Sequence, residues 1–422
     1  MTMEKTIGIP RPAFSLYRPL PGHPDWEQMF DEAAELAAEI AGNIKKDSDL
    51  NFSDRLENMA RKKKSYVTTV STFFKNRKRL KSGNHCLLPL YWIWVMHNTC
   101  NLRCTYCDDH SGQGWFDRKD ENALGTEGGK KLMEIMRTGC SSIYFCGGEP
   151  TLRKDLPRFV DHGWDLGYYP MAMNSNVTVI HDRLRDPGWK DVMRKLDILV
   201  ISVDALSPEK LDQVFQRPLG RTALVNALML RELQKVNKFM LIVNSVVTKE
   251  TIPEARAVLD WANDLGIFYA CVPANVKEGP DPELINAPEY RDFVATLLKR
   301  KKEGHKIIGS YTLLDKFLYA RPYTCMTTMK PHVGADGRLP WPCRASINIE
   351  PEYINVFDHD NVAEMYDSAC RIIDPTGFHG PAKNQCGGWC AWYQNYTTEI
   401  YRQTLLRPWR FLAEAGELTS NL

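Results

Sequence analysis

The sequence predicts an α/β fold: a partial (β/α)6 TIM-type barrel with a helical N-terminal extension and a small cysteine-rich C-terminal domain. Three observations lead there. From Leu90 onward, short β-branched or aromatic runs alternate with amphipathic helical stretches. After about Lys306 that alternation stops, and the chain becomes turn-rich, aromatic and cysteine-bearing. The length, 422 residues, exceeds one average domain.

Residues 1–85 open with a proline-rich lead (Pro10, Pro12, Pro19, Pro21, Pro24) and continue as helix. Met29, Phe30, Ala33, Leu36, Ala37 and Ile40 give Trp26–Ile44 a helical apolar rhythm, and Leu56–Leu80 is a second helical stretch. The strands are expected at Leu90–Met96, Ser142–Phe145, Pro170–Met173, Ile198–Val203, Phe239–Val247 and Phe268–Val272. Each is followed by a helix-length amphipathic segment, which implies crossovers and a parallel sheet. Right-handed crossovers then suggest an open or partial barrel. The expected division is 1–85, 86–305 and 306–422.

Apolar residues at 43% and charged residues at 25% describe an ordinary globular chain, and a net charge of +2 gives no reason to expect a nucleic-acid partner. No signal-peptide pattern opens the sequence, and the longest apolar run, Cys86–Met96, is too short to span a bilayer. A cytoplasmic protein is the expectation. In a reducing compartment twelve cysteines are not a disulfide framework. Cys140, Cys146, Cys271 and Cys370 read as free cysteines packed as small hydrophobes.

Cys100-Asn-Leu-Arg-Cys104-Thr-Tyr-Cys107 directly follows the first expected strand. Three thiolates at this spacing can hold one corner of a [4Fe–4S] cube, leaving the fourth iron without a protein ligand. A zinc knuckle is the alternative at this point, although chemistry in βα folds gathers at the C-terminal ends of strands.

With Tyr106 before the last cysteine, the segment resembles the C-x3-C-x-aromatic-C signature of the radical S-adenosylmethionine (SAM) superfamily. The resemblance implies that Cys100, Cys104 and Cys107 ligate the SAM-binding [4Fe–4S] cluster and that Tyr106 lies along the adenine. Cys146-Gly147-Gly148-Glu149-Pro150, after the second strand, looks like the superfamily's GGEP segment. There the backbone and Glu149 would hold the methionine ammonium. Weaker matches are Asn174 at the end of the third strand, Ser202 and Asp204 at the end of the fourth, Arg217, and Asn244 in the fifth. Each of these is equally a turn cap or a satisfied core polar group.

Cys325, Cys343, Cys386 and Cys390 in the tail resemble the single-cluster auxiliary domains called Twitch, implying one auxiliary [4Fe–4S] cluster. A zinc site with four thiolates fits the same spacing. By resemblance the enzyme cleaves SAM reductively and abstracts hydrogen from a substrate, using an electron donor such as flavodoxin or ferredoxin.

The substrate expectation is a small molecule or lipid-like compound. A peptide maturase is the alternative, disfavoured because residues 1–85 lack the strands of a winged-helix leader-binding domain. A non-catalytic iron–sulfur or zinc protein is the alternative of another class. The basic stretch Arg61–Lys81, with Tyr66, Phe73 and Phe74 inside it, reads either as a solvated helix face or as a peripheral membrane contact that would bring the active site to a lipid.

Overall fold

A computed structural model describes residues 26–107, 122–276, 279–343, 352–376 and 392–410. Six parallel strands follow the expected order: β1 (Trp92–Val95), β2 (Ile143–Cys146), β3 (Met171–Ser175), β4 (Ile198–Ser202), β5 (Met240–Val247) and β6 (Phe268–Pro273). They lie side by side in chain order, and a seventh, two-residue strand at His332–Val333 pairs parallel with β1. That strand comes from the segment expected to form a separate tail domain, so part of the tail completes the sheet. The fold class is the partial barrel that the βα alternation predicts.

Alternation along each strand separates two faces. Phe145, Met173, Leu199, Ile201 and Val243 are buried beneath helices. Residues of the other parity, Tyr144, Cys146, Asn174, Val200, Ser202 and Asn244, stay partly accessible on the concave face. Register joins them across the sheet, with Asn174 opposite Val200 and Ser202 opposite Asn244.

Helix α1 (Trp26–Asn43) buries Trp26, Met29, Ala33, Ala37 and Ile40, the i, i+3, i+4 stripe that drives it onto the helix Gly220–Leu233. Helix α2 (Phe52–Lys81) begins at an Asn51–Asp54 capping box. It crosses the N-terminal ends of the strands, and its buried face is mostly polar. Ser65 donates to the carbonyl of Tyr169 (2.6 Å), just before β3, and Thr72 to that of Gly139 (3.2 Å), before β2. Asn76 exchanges two hydrogen bonds with the backbone of Leu88, ahead of β1. Arg61 binds the Tyr168 carbonyl (2.7 Å) and the Asp197 carboxylate (2.8 and 3.1 Å), ahead of β3 and β4. Strand starts expose unpaired backbone groups, and the polar face of α2 satisfies them.

Cys86 and Cys370 form a disulfide between the lead into β1 and the helix Val362–Ile372. This corrects the expectation of a free, packed Cys370 and of a chain without disulfides. Cys140 and Cys271 are buried as expected, whereas Cys146 is half-buried on the concave face. No helix among the described residues is long and apolar enough to cross a membrane.

Candidate active site

Met96 N–H bonds the Cys146 carbonyl (2.9 Å), carrying the β1–β2 pairing past the strand ends. Gly148 N–H then donates to His97 O, and Glu149 N–H to Thr99 O, each at 2.9 Å. The cysteine loop is thereby zipped to the segment after β2. A Cβ on Gly147, whose φ is +143°, would sit 2.3 Å from His97 O; one on Gly148 would sit 2.1 Å from Thr99 O. Only glycine permits this approach.

Glu149 is 1% exposed, and its carboxylate accepts four hydrogen bonds. The donors are Thr151 N–H (3.0 Å), Thr151 hydroxyl (2.5 Å), Ser175 hydroxyl (2.8 Å) and Asn176 N–H (2.6 Å). Burial pushes its pKa up, and the Asn176 amide bond is the largest opposing influence. Three of these bonds fall on Oε1 and one on Oε2, and since a carboxylate has about four lone-pair sites, Oε2 has capacity for a further donor such as the expected ammonium. In this structure Glu149 ties the ends of β2 and β3 together.

Asn176, two residues after the expected Asn174, approaches the cysteines. Its Nδ2 lies 3.8 Å from Cys100 Sγ and 3.0 Å from Asn101 Oδ1, while Asn174 sits on the concave face with Ser202. The loop also docks on the far side: Arg103 N–H bonds Phe215 O (2.9 Å) and Thr105 N–H bonds Val214 O (3.1 Å). Cys107 N–H closes a turn onto Cys104 O at 3.0 Å. Tyr106 donates its hydroxyl to Asp204 (2.6 Å), whose other oxygen accepts from Val246 N–H (2.7 Å). The aromatic position of the motif thus pins the loop to the ends of β4 and β5. Burial pushes Asp204 up to about 6, against the lowering effect of these two hydrogen bonds. Arg217 is exposed, and its guanidinium bonds the neighbouring Gln216 carbonyl.

The donor set fits an iron–sulfur cube. Burial, followed by the charges of Cys107, Asp204 and Cys100, raises the Cys104 thiol, so the three sulfurs sense one another in a partly desolvated pocket. Among the described residues no three His, Cys, Asp or Glu converge on a single metal ion. A cube binds each sulfur at a different iron, so it needs no such convergence. In the tail, Cys325 is buried beside the Thr398 hydroxyl, and Cys343 lines a small cavity with Thr327, Lys330, His332 and Trp341. In that cavity Lys330 Nζ and Thr327 Oγ1 lack hydrogen-bond partners among the described residues. Cys386 and Cys390 lie outside the described residues.

Residues 94–262 match the model of the Radical SAM superfamily. The chain is 34% identical over 99 residues to PqqA peptide cyclase of Bradyrhizobium diazoefficiens, covering 24% of this chain and 25% of that protein. It is 26% identical over 221 residues to Fe-coproporphyrin III synthase of Methanosarcina barkeri, covering 51% and 52%. The matches therefore span a quarter to about half of these relatives' lengths. Streptococcus suis SuiB, crystallised with SAM, shares the fold at a TM-score of 0.51 and 17% identity, over 68% of each chain. Residues 94–262 form a Radical SAM superfamily domain, and the cofactors that go with it are a [4Fe–4S] cluster and SAM.

Proposed function

We propose that this chain is a radical SAM enzyme that modifies a peptide substrate, with Cys100, Cys104 and Cys107 as ligands of its SAM-binding cluster. The observation that carries the chemistry is the three-thiol loop, zipped by Gly147 and Gly148 to β2 at the rim of the concave face. When bound, the cluster supplies the electron that splits SAM into methionine and a 5′-deoxyadenosyl radical. The chain's own residues hold that chemistry in place. Tyr106 and Asp204 fix the loop from one side, and Glu149 and Asn176 fix it from the other. Asn174, Ser202 and Asn244 offer the concave face polar contacts for SAM or substrate.

The peptide reading takes its support from the identity to PqqA peptide cyclase. It replaces the lipid-like expectation, because α2 lies at the end of the barrel opposite the cysteine loop and cannot deliver a lipid to it. A small-molecule substrate is the second reading, favoured by the longer match to Fe-coproporphyrin III synthase. In either case residues 86–305 would be the catalytic unit, reduced by flavodoxin or ferredoxin. Residues 306–422 would carry an auxiliary cluster on Cys325, Cys343, Cys386 and Cys390, whose anionic charge suits the buried Lys330, unpartnered among the described residues.

Iron and sulfide content after anaerobic reconstitution tests the cofactor half. About eight irons per chain are expected, falling to about four when Cys100, Cys104 and Cys107 are all changed to Ala. Reduced enzyme with SAM and a candidate peptide encoded beside its gene tests the substrate half. Loss of two hydrogens from the peptide is the expected outcome, one taken up in 5′-deoxyadenosine and the other released as a proton, with its electron passed to the oxidised flavodoxin or ferredoxin. Cleavage of SAM that leaves every such peptide unaltered would return the assignment to a small molecule.

A further inference from the structure

Helix α2 is amphipathic in the inverted sense. Its polar side faces the barrel, and its apolar side faces out. Seven of the twelve large apolar residues exposed among the described residues lie on this one helix, between Phe52 and Phe74. Leu56, Met59, Tyr66, Val67, Val70 and Phe74 recur at intervals of three, four and seven or eight residues, which places them on one side. The buried Arg61, Ser65, Thr72 and Asn76 define the opposite side. The stripe runs from Phe52 to Phe74, about 33 Å along the helix axis. The helix Tyr393–Leu406 packs along one edge of α2, with Tyr401 edge-on to Phe73 and Arg77 bonded to Leu405 O, and leaves the stripe exposed.

The stripe is bordered by cations. From Arg61 to Lys81 the helix has no acidic residue. Arg61 and Arg79 are spent on Asp197 and Asp367, but among the described residues Lys63, Lys64, Lys75, Lys78 and Lys81 have no carboxylate partner. At its C-terminal end the stripe runs into a shallow depression lined by Phe74, Arg77, Lys78, Lys81 and Ser82. Three cations and a hydroxyl around one aromatic ring suit a phosphate headgroup above an acyl chain.

We propose that the outward face of α2 docks this protein on an anionic phospholipid surface. The stripe is long, one helix wide and shallow, which suits a fluid surface that moulds itself to the side chains better than a partner that must supply pockets. From Arg61 onward the cation border is free of acids, Asp54 and Glu57 lying nearer the start of the helix, and this specifies the sign of that surface. Because α2 seals the N-terminal ends of the strands, a docked molecule lies on the membrane by its base. The cysteine loop, at the opposite end of the strands, then opens to the aqueous phase. This placement is independent of the substrate's identity.

The test is co-sedimentation of the reconstituted, full-length protein with vesicles of phosphatidylcholine alone or of phosphatidylcholine with phosphatidylglycerol, at low and high salt. Binding is expected only to the phosphatidylglycerol vesicles and should weaken with salt. Each surface lysine contributes about fivefold to affinity, so Lys63→Glu with Lys78→Glu should lower it by more than tenfold. Val67→Gln with Val70→Gln should lower it through the apolar contact while leaving iron content and SAM cleavage unchanged. Equal binding by wild type and variants, or no binding to anionic vesicles, would overturn the proposal. So would a dimer in analytical ultracentrifugation that the Val67→Gln, Val70→Gln protein no longer forms, because the stripe would then belong to a second copy of this chain.

Discussion

Tyr106 donates its hydroxyl to the buried carboxylate of Asp204 across 2.6 Å, linking the cysteine loop to the end of β4. Tyr106 lies between two proposed cluster ligands, so the position of the whole loop depends on this bond. Tyr106→Phe keeps the ring and leaves one Asp204 oxygen without its donor, a loss of about 1–3 kcal/mol. The variant is expected to unfold at lower denaturant concentration and to hold its iron less firmly against a chelator. Unchanged iron retention would show that backbone bonds such as Arg103 N–H to Phe215 O suffice to fix the loop.

Asp204 also sets a pH dependence. Its folded pKa is raised from 3.8 to about 6 by burial, so the native state holds that proton more tightly than the unfolded chain. Its contribution to stability is therefore full below about pH 4 and is lost as pH rises through about 6, a change of about 3 kcal/mol. Glu149 is raised in the same direction. Denaturant unfolding of cluster-free protein at a series of pH values should show this fall in the wild type and a shallower one in Asp204→Asn. A parallel pair of curves would remove Asp204 as the titrating group.

Arg61 illustrates what the sequence conceals. It stands at the head of a basic stretch, where a solvated or membrane-facing role is the natural reading, yet it is 5% exposed. Its guanidinium grips both oxygens of Asp197 and lies 3.9 Å over the Trp164 ring. Arg61→Ala leaves Asp197 without its partner and should cost about 3–5 kcal/mol. Lys63→Ala, two residues on and exposed, should cost almost nothing. Thermal unfolding of both variants gives the comparison, and similar losses would contradict the burial of Arg61.

The strands were legible because each is a run of apolar, β-branched or aromatic residues followed by a helix-length segment. β4 and β5 lie within one residue of the expected bounds. His332–Val333 was not legible, since two residues carry no periodicity. The inward face of α2 was hidden for a different reason: Ser65, Thr72 and Asn76 are buried by the backbone groups they satisfy, which hydrophobic patterning does not register. At the site, the cysteine spacing and the glycine pair announced themselves. Asn176 did not, because its proximity to Cys100 depends on how the chain leaves β3 after Ser175.

Lys330 gives the tail its own test. Its side chain is almost fully buried, with Nζ 4.9 Å from the Trp392 ring and, among the described residues, no hydrogen-bond acceptor, in the cavity that Cys343 lines. A buried ammonium without a counter-charge is costly, so in a tail that binds no anionic group Lys330→Met should stabilise the fold. A thiolate-ligated cluster beside it reverses that sign. The ammonium then offsets the cluster's negative charge and favours the reduced form, which carries one more. Under the auxiliary-cluster proposal, Lys330→Met should therefore weaken retention of the second set of about four irons. It should also move that cluster's reduction potential to more negative values, while Lys330→Arg restores it. Redox titration followed by electron paramagnetic resonance on the Cys100, Cys104, Cys107→Ala background isolates the signal. A Lys330→Met protein that is more stable, with iron content and potential unaltered, would dissociate Lys330 and Cys343 from any cluster.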